Sequence, residues 1–462
     1  MKQSDYQKDA NTAKEKLDSV SPSFCLAKWN QVSLHLPTGM TNSCYHPPLH
    51  RIDAKAVASN PARLHNTDEK IEQRKQMLAG KRPPGCSYCW KIEDAGGISD
   101  RVYRSGEPWA IQDFDNIVAN PTDTNWTPRY VEVNFNHGCN FKCSYCSPQF
   151  STTWGKEIDT YGQYPTSPAH NAPEHFQGAR KPIPHRETNP YVTAFWKWWP
   201  TLYKNLKHFR MTGGEPMMDH NTYKVLQYVI DNPKKDLHLN VTSNMCPPDA
   251  KLKNKYFDMV KRICLDEHVE HFMQFVSVDA FGPQAEYIRH GLNWNYFQDT
   301  VEEFLERIPV RNSVTFIITY NNLSVTSLDK LLEYIRQLRQ RFSTTYQRVW
   351  FDIPLLRQPA WQQITLLPES YQIIHEDNID MMKKFQEGEF KDPEWSSYAI
   401  YKDFEIQKMQ RNLDYWRTNF DANAQHKKNF YAFFNEHDRR RGTSFEKTFP
   451  EMQEFWQECK AL

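Results

Sequence analysis

The centre of the chain, residues 127–360, alternates short apolar runs with stretches that have the periodicity of amphipathic helices. The apolar runs are rich in β-branched and aromatic residues, which is typical of strands. Strands that alternate with helices predict parallel βαβ units with right-handed crossovers, the pattern of an α/β barrel. The predicted strands are Tyr130–Asn136, His208–Thr212, Leu237–Ser243, Phe272–Asp279, Val314–Tyr320 and Val349–Ile353. The predicted helices between them include His220–Ile230, Asp249–Cys264, Tyr296–Arg307 and Ser327–Phe342.

The pattern changes on both sides of this region. Residues 1–20 are charged and predict a disordered or frayed N-terminus, and residues 21–126 form a cysteine-rich domain with one clear helix, near Asp68–Leu78. Residues 361–462 are mostly helical in pattern and predict a C-terminal cap. Within the α/β region, residues 150–200 show no clean period, which predicts an irregular insertion. It is either a lid over the site or a surface elaboration.

Charge limits the classes of partner. Lys and Arg number 57 against 56 Asp and Glu, so a nucleic-acid partner is not expected. The basic run at 437–441 is short and predicts a solvated helix end. No signal-peptide pattern and no apolar run of about 18 residues is present, so we expect no membrane association and a cytoplasmic location. In such a reducing compartment the ten cysteines predict metal ligands rather than disulfides.

Three cysteines follow the first predicted strand, at the end of the barrel where active sites lie. Cys139, Cys143 and Cys146 form a CxxxCxxC pattern. Three thiolates on one loop can hold three irons of a [4Fe–4S] cluster and leave the fourth iron open for a small ligand. Zinc usually takes four ligands in paired spacing, and three cysteines so close together do not suit a packed core. The spacing therefore favours an iron–sulfur cluster.

A second motif, Gly213-Gly214-Glu215-Pro216, ends the second predicted strand. Paired glycines let the backbone approach a ligand closely, and Glu215 can accept a hydrogen bond from an ammonium group. Taken alone, the segment is equally compatible with an ordinary turn.

Polar residues end the next strands and predict further ligand contacts. Ser243 and Asn244 close the third strand and Ser277 closes the fourth, although each residue taken singly suits a strand-end cap as well. Arg289 can pair with a carboxylate, because its fork matches that group better than a lysine does. A surface arginine is the alternative.

Together these motifs resemble those of radical S-adenosylmethionine (radical SAM) enzymes, including the aromatic Tyr145 before the last cysteine. The resemblance implies a partial (β/α)6 barrel of the TIM type and a catalytic [4Fe–4S] cluster on the three cysteines. It also implies reductive cleavage of SAM to a 5′-deoxyadenosyl radical, with an external low-potential electron donor. An arginine between Tyr287 and Gly291, with Trp294 following, resembles the family's partner for the SAM carboxylate. The SAM contacts carried over are Tyr145, Gly213, Gly214, Glu215, Ser243, Asn244, Ser277 and Arg289. The sixth strand departs from the family's Gly-rich pattern, so no SAM contact is placed on it.

Four further cysteines lie before the barrel. Cys25, Cys44, Cys86 and Cys89 have a spacing that suits either zinc or a second [4Fe–4S] cluster. The surrounding residues 74–101 resemble the auxiliary-cluster segment of twitch-type radical SAM proteins, which favours a second cluster over zinc. This order of segments is associated with a poorly characterised subgroup, some of it encoded by phages, for which the host cytoplasm is the expected location.

The resemblance, over residues 21–360, predicts an enzyme but not its substrate. Relatives with auxiliary clusters often modify peptides or proteins, so the resemblance favours that class of substrate. RNA and small metabolites stay open as substrates. The non-enzymatic alternative is a zinc-stabilised binding protein on a degenerate barrel.

Overall fold

The structure is a computed structural model that describes residues 3–168, 181–184, 187–388 and 398–462. It is an α/β protein with a mostly parallel nine-stranded sheet and about 55% helix. A separate two-stranded ribbon pairs β5 with β9. The strands are β1 (Gln31–His35), β2 (Met40–Asn42), β3 (His50–Arg51), β4 (Tyr130–Asn134), β5 (Lys142–Cys143), β6 (His208–Thr212), β7 (Lys234–Ser243), β8 (Val269–Ser277), β9 (Arg289–His290), β10 (Ser313–Ile317) and β11 (Val349–Asp352).

The large sheet has the order β11-β10-β8-β7-β6-β4-β1-β2-β3. The pairs β1–β4, β4–β6, β8–β10 and β10–β11 are parallel, and the β1–β2 and β2–β3 pairs are antiparallel. The six strands predicted from the apolar runs are β4, β6, β7, β8, β10 and β11, so the α/β class is confirmed. The three strands of the N-terminal segment, β1 to β3, were not predicted.

The predicted helices are present within a residue or two of their expected bounds. None of the helices among the described residues combines the length and apolar character that crossing a bilayer requires. The helices are α1 (Gln3–Asp18), α2 (Ala27–Asn30), α3 (Ala54–Ser59), α4 (Asp68–Leu78), α5 (Ser87–Asp94), α6 (Asp100–Gly106), α7 (Pro108–Ile111), α8 (Phe114–Ala119), α9 (Thr152–Tyr161), α10 (Pro190–Asn205), α11 (His220–Asp231), α12 (Ala250–Leu265), α13 (Gly282–Ile288), α14 (Trp294–Arg307), α15 (Leu328–Phe342), α16 (Gln372–Glu387), α17 (Asp403–Thr418), α18 (Ala424–Arg441), α19 (Phe445–Thr448) and α20 (Gln453–Ala461).

Contacts divide the chain into two compact units. The first unit comprises Met1–Asn136, Gly178–Gly213 and Asp236–Asn240, and the second comprises His137–Gln177, Gly214–Lys235 and Val241–Leu462. The domain boundaries that composition predicts, near residues 127 and 360, stay predictions, because the contact division follows the fold rather than the chain order.

The predicted frayed N-terminus differs from the structure, in which α1 is an ordered helix. Ala10 and Ala13 are buried and pack against Val102 of α6. Asp18, at the end of α1, forms an ion pair with the buried Arg101. Although its sequence is largely charged, α1 therefore has a short apolar face, and this face packs within the first unit.

Residues 150–200 are also more regular than predicted. They contain α9 and most of α10, and α10 buries Phe195, Trp198 and Trp199 in an aromatic core with Phe209. Trp154 and Tyr164 are buried as well, whereas Tyr161 is exposed, so most but not all of the described aromatic residues of this segment pack as core side chains. Other residues that motivated the lid prediction, at positions 170, 175, 176 and 185, lie outside the described residues.

The helical C-terminal region is tied to the rest of the second unit by a fully buried ion pair between α15 and α17. The Arg339 guanidinium bonds both carboxylate oxygens of Glu405, one of them at 3.0 Å, and both side chains have no exposed surface. Arg339 also donates to the carbonyls of Val349 and Ile400. Every charge in the pair is therefore matched by hydrogen bonds, as a buried pair requires.

Removing one member of this pair should destabilise the protein strongly. We expect Glu405→Ala to lower the free energy of unfolding by about 3–5 kcal/mol, because it leaves the Arg339 charge buried without a partner. The exposed pair of Arg341 with Glu302 supplies the control, and Glu302→Ala should cost less than about 1 kcal/mol. Urea unfolding followed by circular dichroism measures both. Equal decreases in the free energy of unfolding for the two variants would show that the buried Arg339–Glu405 pair stabilises the protein no more than an exposed pair does.

Candidate functional site

The loop that carries Cys139, Cys143 and Cys146 is held as a short strand rather than left free. Its β5 segment pairs antiparallel with β9, so that Cys143 lies opposite Arg289. The Ser144 amide extends this pairing by donating to the carbonyl of Ile288 at 2.7 Å. The backbone of the cysteine loop is therefore anchored to the segment that contains the predicted carboxylate-binding arginine.

The three thiols lie close enough to influence one another. Burial raises the pKa of Cys146 to about 12 and raises the pKa of Cys139 as well, and Cys143 raises both further. Thiolates that repel one another in this way need a cation between them, and a metal cluster supplies one. The donor set of the loop therefore fits the [4Fe–4S] cluster predicted for it.

The second glycine of the pair, Gly214, approaches the backbone at the start of the cysteine loop. A Cβ atom on Gly214 would lie 2.2 Å from the carbonyl oxygen of Gly138, and the next residue, Glu215, donates its amide to that oxygen at 2.7 Å. Gly291 meets the other side of the loop, where a Cβ would lie 2.9 Å from the carbonyl oxygen of Asn140. Glycine is required at these positions because two backbones touch.

Glu215 is almost fully buried and binds protein donors. Its carboxylate accepts hydrogen bonds from the Ser243 hydroxyl at 2.8 Å and from the amides of Met217 and Asn244 at 2.9 and 2.8 Å. Burial raises the pKa of Glu215 to about 6, while these bonds favour the ionised form. The predicted SAM ligands Glu215, Ser243 and Asn244 are thus one connected group, in which the carboxylate joins the Gly-Gly turn to the end of β7.

Asn244 links this group to the cysteine loop. Its side-chain amide donates to the Asn140 side chain at 2.9 Å, and Asn140 in turn donates to the carbonyl of Cys246 at 2.8 Å. Asn140 was not singled out from the sequence, because an asparagine between two ligand cysteines carries no distinctive spacing signal.

Arg289 is paired with a buried carboxylate of the protein. Asp279 has no exposed surface and accepts from the Nε and Nη2 of Arg289 at 2.8 and 2.9 Å. Tyr145 joins the pair, because its hydroxyl accepts from Arg289 at 2.7 Å and donates to Asp279 at 2.8 Å. The remaining arm of the guanidinium, Nη1, lies 3.8 Å from the Cys143 sulfur. Ser277 lies two residues before Asp279 in the sequence, at the end of β8. It is half-buried and lies opposite Ile317 of β10.

The outer side of the cysteine loop is clamped by residues that the sequence did not indicate. The Trp154 indole donates to the carbonyl of Cys143 at 2.8 Å, and Arg441 donates to the carbonyl of Lys142 at 2.7 Å. Glu157 accepts from both Lys142 and Arg441. Burial opposes ionisation of Glu157, but these cations hold its pKa at about 2. The prediction of a solvated basic end to α18 holds for Arg439, which is exposed, but it was wrong for Arg440 and Arg441, whose side chains are buried.

The four N-terminal cysteines line one cavity in the first unit. Cys25, Cys44, Cys86 and Cys89 all border it. Burial raises the pKa of Cys44 to about 11 and that of Cys89 to about 12. The cavity also contains buried polar atoms with no protein partner among the described residues, the Ser43 hydroxyl and Nδ1 of His46.

The cavity is bordered by Arg101, which is paired with Glu93, and by Lys28, and two further buried cations lie close to Lys28. Lys28, Lys70 and Arg74 are nearly or fully buried, and none of them forms an ion pair with Asp or Glu within the described residues. Burial lowers the pKa of Lys70 and lowers that of Arg74 to about 9. A metal centre with four thiolates carries negative charge, so it would neutralise these cations. The cavity therefore fits such a centre in charge as well as in ligands.

No three His, Cys, Asp or Glu side chains in the described parts of the chain are grouped so as to hold a single metal ion. A cluster makes a different demand, because each thiolate binds its own iron.

Comparison of the sequence with protein-family models and with curated proteins finds no match.

The Asp279–Arg289 pair should control how tightly the cysteine loop is held. In metal-free protein we expect Asp279→Asn to raise the rate at which iodoacetamide modifies Cys143 and Cys146 by about tenfold to a hundredfold. The reason is that a charge-assisted hydrogen bond contributes about 1.5–3 kcal/mol to keeping the loop closed. Mass spectrometry of the cysteine peptides measures the rate. Asp266→Asn, which alters an exposed pair, is the control. Unchanged rates in Asp279→Asn would contradict this role.

Proposed function

We propose that the protein is a radical SAM enzyme whose catalytic [4Fe–4S] cluster is held by Cys139, Cys143 and Cys146. The observation that carries the proposal is the convergence of the three thiols with Glu215 and Arg289 in the second unit. Sequence motifs far apart in the chain are there joined by direct hydrogen bonds. The finer form of the fold that we propose is the partial (β/α)6 barrel of that family, built on the parallel strands β4, β6, β7, β8, β10 and β11.

The residues of the site have distinct proposed tasks. When bound, the cluster and SAM supply a low-potential electron and a 5′-deoxyadenosyl radical. Glu215 is ionised above a pH of about 6 and offers negative charge to the amino group of SAM. Nη1 of Arg289 is the arm of the guanidinium that Asp279 and Tyr145 do not bind, and it is the arm that we assign to the carboxylate of SAM. An external low-potential donor would reduce the cluster beforehand.

The first unit holds a second metal centre in this proposal. Cys25, Cys44, Cys86 and Cys89 are its ligands, and a [4Fe–4S] cluster is preferred over zinc. The preference comes from the resemblance of residues 74–101 to the auxiliary segment of twitch-type proteins. The buried cations Lys28, Lys70 and Arg74 support an anionic centre of either kind.

The substrate class that we favour is a peptide or protein, as in relatives with auxiliary clusters. An RNA or small-metabolite substrate, or a zinc-stabilised binding protein without enzymatic activity, would be distinguished from it by metal analysis and product formation.

Reconstitution under anaerobic conditions tests the catalytic assignment. With dithionite as reductant, the wild-type protein should convert SAM to 5′-deoxyadenosine, and Cys143→Ala should abolish the conversion. Chromatography of the nucleoside product measures it. Cys459→Ala, which removes a buried cysteine of α20, should keep full activity. Cleavage of SAM by Cys143→Ala at the wild-type rate would refute the assignment.

Metal content tests the second centre. The reconstituted wild type should bind about eight irons per chain, and the double variant Cys86→Ala/Cys89→Ala should bind about four, because each four-iron cluster needs its own ligands. Elemental analysis of iron and zinc, with acid-labile sulfide, gives the stoichiometry. Cys264→Ala serves as the control for loss of a buried thiol. Zinc in the wild type, with iron unchanged in the double variant, would assign the N-terminal cysteines to a structural zinc site.

A further inference from the structure

His46 borders the cavity that the four N-terminal cysteines line, although its spacing in the sequence did not mark it as a ligand. It follows Cys44 by two residues, and its side chain is only 10% exposed. Burial raises the pKa of the Cys44 thiol, and the amide of His46 opposes this shift by hydrogen bonding to the sulfur. One short segment therefore brings a thiol and an imidazole to the same cavity.

The imidazole ring of His46 is held in one orientation by two contacts. It stacks on Tyr88 with a centroid distance of 3.7 Å and an interplanar angle of 11°. Tyr88 lies between Cys86 and Cys89 in the sequence, so the stack ties the ring to two of the thiols. At the edge of the ring, Nε2 lies 2.5 Å from a carboxylate oxygen of Asp100, which also borders the cavity.

The contact with Asp100 decides which ring nitrogen can bind a ligand. A carboxylate accepts hydrogen bonds, so Nε2 of His46 carries the hydrogen and donates it. In a neutral ring the other nitrogen, Nδ1, then has a lone pair and accepts only. This Nδ1 atom is buried and has no hydrogen-bond partner among the described residues.

The other groups at the cavity do not supply Nδ1 with a donor once metal is bound. The four thiols become acceptors, because a thiolate is the form that binds metal. Each basic side chain that borders the cavity contacts another residue: Lys28 contacts Gln73, Arg101 contacts Glu93, and Arg104 lies over the Tyr45 ring. The partner that suits a buried lone pair beside thiolates is therefore the metal itself.

The Asp100–His46 pair also has the form that metal-binding histidines take. Such a histidine donates one ring N–H to a carboxylate, which fixes its tautomer and makes the other nitrogen a better ligand. Imidazole is an established ligand of iron–sulfur centres, since two histidines replace two cysteines in the Rieske type. The chemistry of His46 thus fits a cluster as well as a single metal ion.

Cys44 differs from the other three thiols in its surroundings. Cys25, Cys86 and Cys89 are buried and pack in one cluster, whereas Cys44 is half-buried and lies next to the histidine. We propose that Nδ1 of His46 binds the same iron of the N-terminal centre as Cys44, which gives that centre four thiolates and one imidazole. This inference rests on the second metal centre proposed above.

Spectroscopy of the N-terminal centre tests the inference on the full chain. In Cys143→Ala the catalytic cluster is expected to be lost, so the remaining iron belongs to the N-terminal centre. With histidine labelled by ¹⁵N, electron–nuclear double resonance of the reduced centre should show strong coupling to one histidine nitrogen. Adding His46→Gln should remove this coupling while the iron is retained. His50→Gln, which alters a histidine that hydrogen-bonds Thr67 at 2.8 Å, should leave the coupling intact.

Loss of iron to a chelator gives a second measurement. Asp100→Ala should speed this loss about tenfold to a hundredfold, because carboxylates that orient a metal-binding histidine contribute that much to metal affinity. Asp94→Ala, which removes an exposed partner of Arg82, should leave the rate unchanged. An iron centre without histidine coupling, or with only the weak coupling of a hydrogen-bonded ring, would overturn this inference alone. If the N-terminal cysteines bind zinc or no metal, the second cluster and this inference are both wrong.

Discussion

The candidate site of the second unit depends on one buried carboxylate. Asp279, just after β8, accepts two hydrogen bonds from Arg289, one from Tyr145 and one from the amide of Thr319. Asp279 therefore connects the ends of β8 and β10 to β9 and to the loop that carries the three cysteines. Four donors satisfy the hydrogen-bonding capacity of this buried carboxylate, and the guanidinium that it holds is fixed in direction. The predicted cofactor arginine is thus positioned before any ligand arrives.

The buried positive charges near the two cysteine sites are balanced in different ways. In the second unit the cation Arg289 is already neutralised by Asp279, so the three thiols gather beside a balanced pair. In the first unit Lys28, Lys70 and Arg74 are buried with no carboxylate partner among the described residues, an unfavourable arrangement that an anionic centre would relieve. Binding of a thiolate-ligated metal there would release this penalty, so occupancy and stability of the first unit are expected to be linked.

The sequence allowed the α/β class, six strands and most core helices to be predicted, because each of these has a local period. It did not allow β1, whose five residues alternate polar and apolar in a run too short to separate from a loop. Helix α10 was obscured by an internal proline and by tryptophans on several faces. The structure brings together some of the residues selected at strand ends, since Glu215 accepts hydrogen bonds from Ser243 and Asn244. The pairing of Asp279 with Arg289 and of Arg441 with the cysteine loop could not be predicted, because contacts formed only in the folded chain produce no pattern of residue spacing.

The clamp on the cysteine loop also has a consequence for biosynthesis. Arg441 reaches the carbonyl of Lys142 across 299 residues of sequence. At a translation rate of about 5–20 residues per second, the ribosome releases the loop on the order of 15 to 60 s before it makes the arginine that closes it. During this interval the nascent chain contains the three thiols but lacks the contact that Arg441 makes with their loop. Iron delivered early would meet a loop of loose geometry, so the proposed cluster is expected to load only after Arg441 has been synthesised.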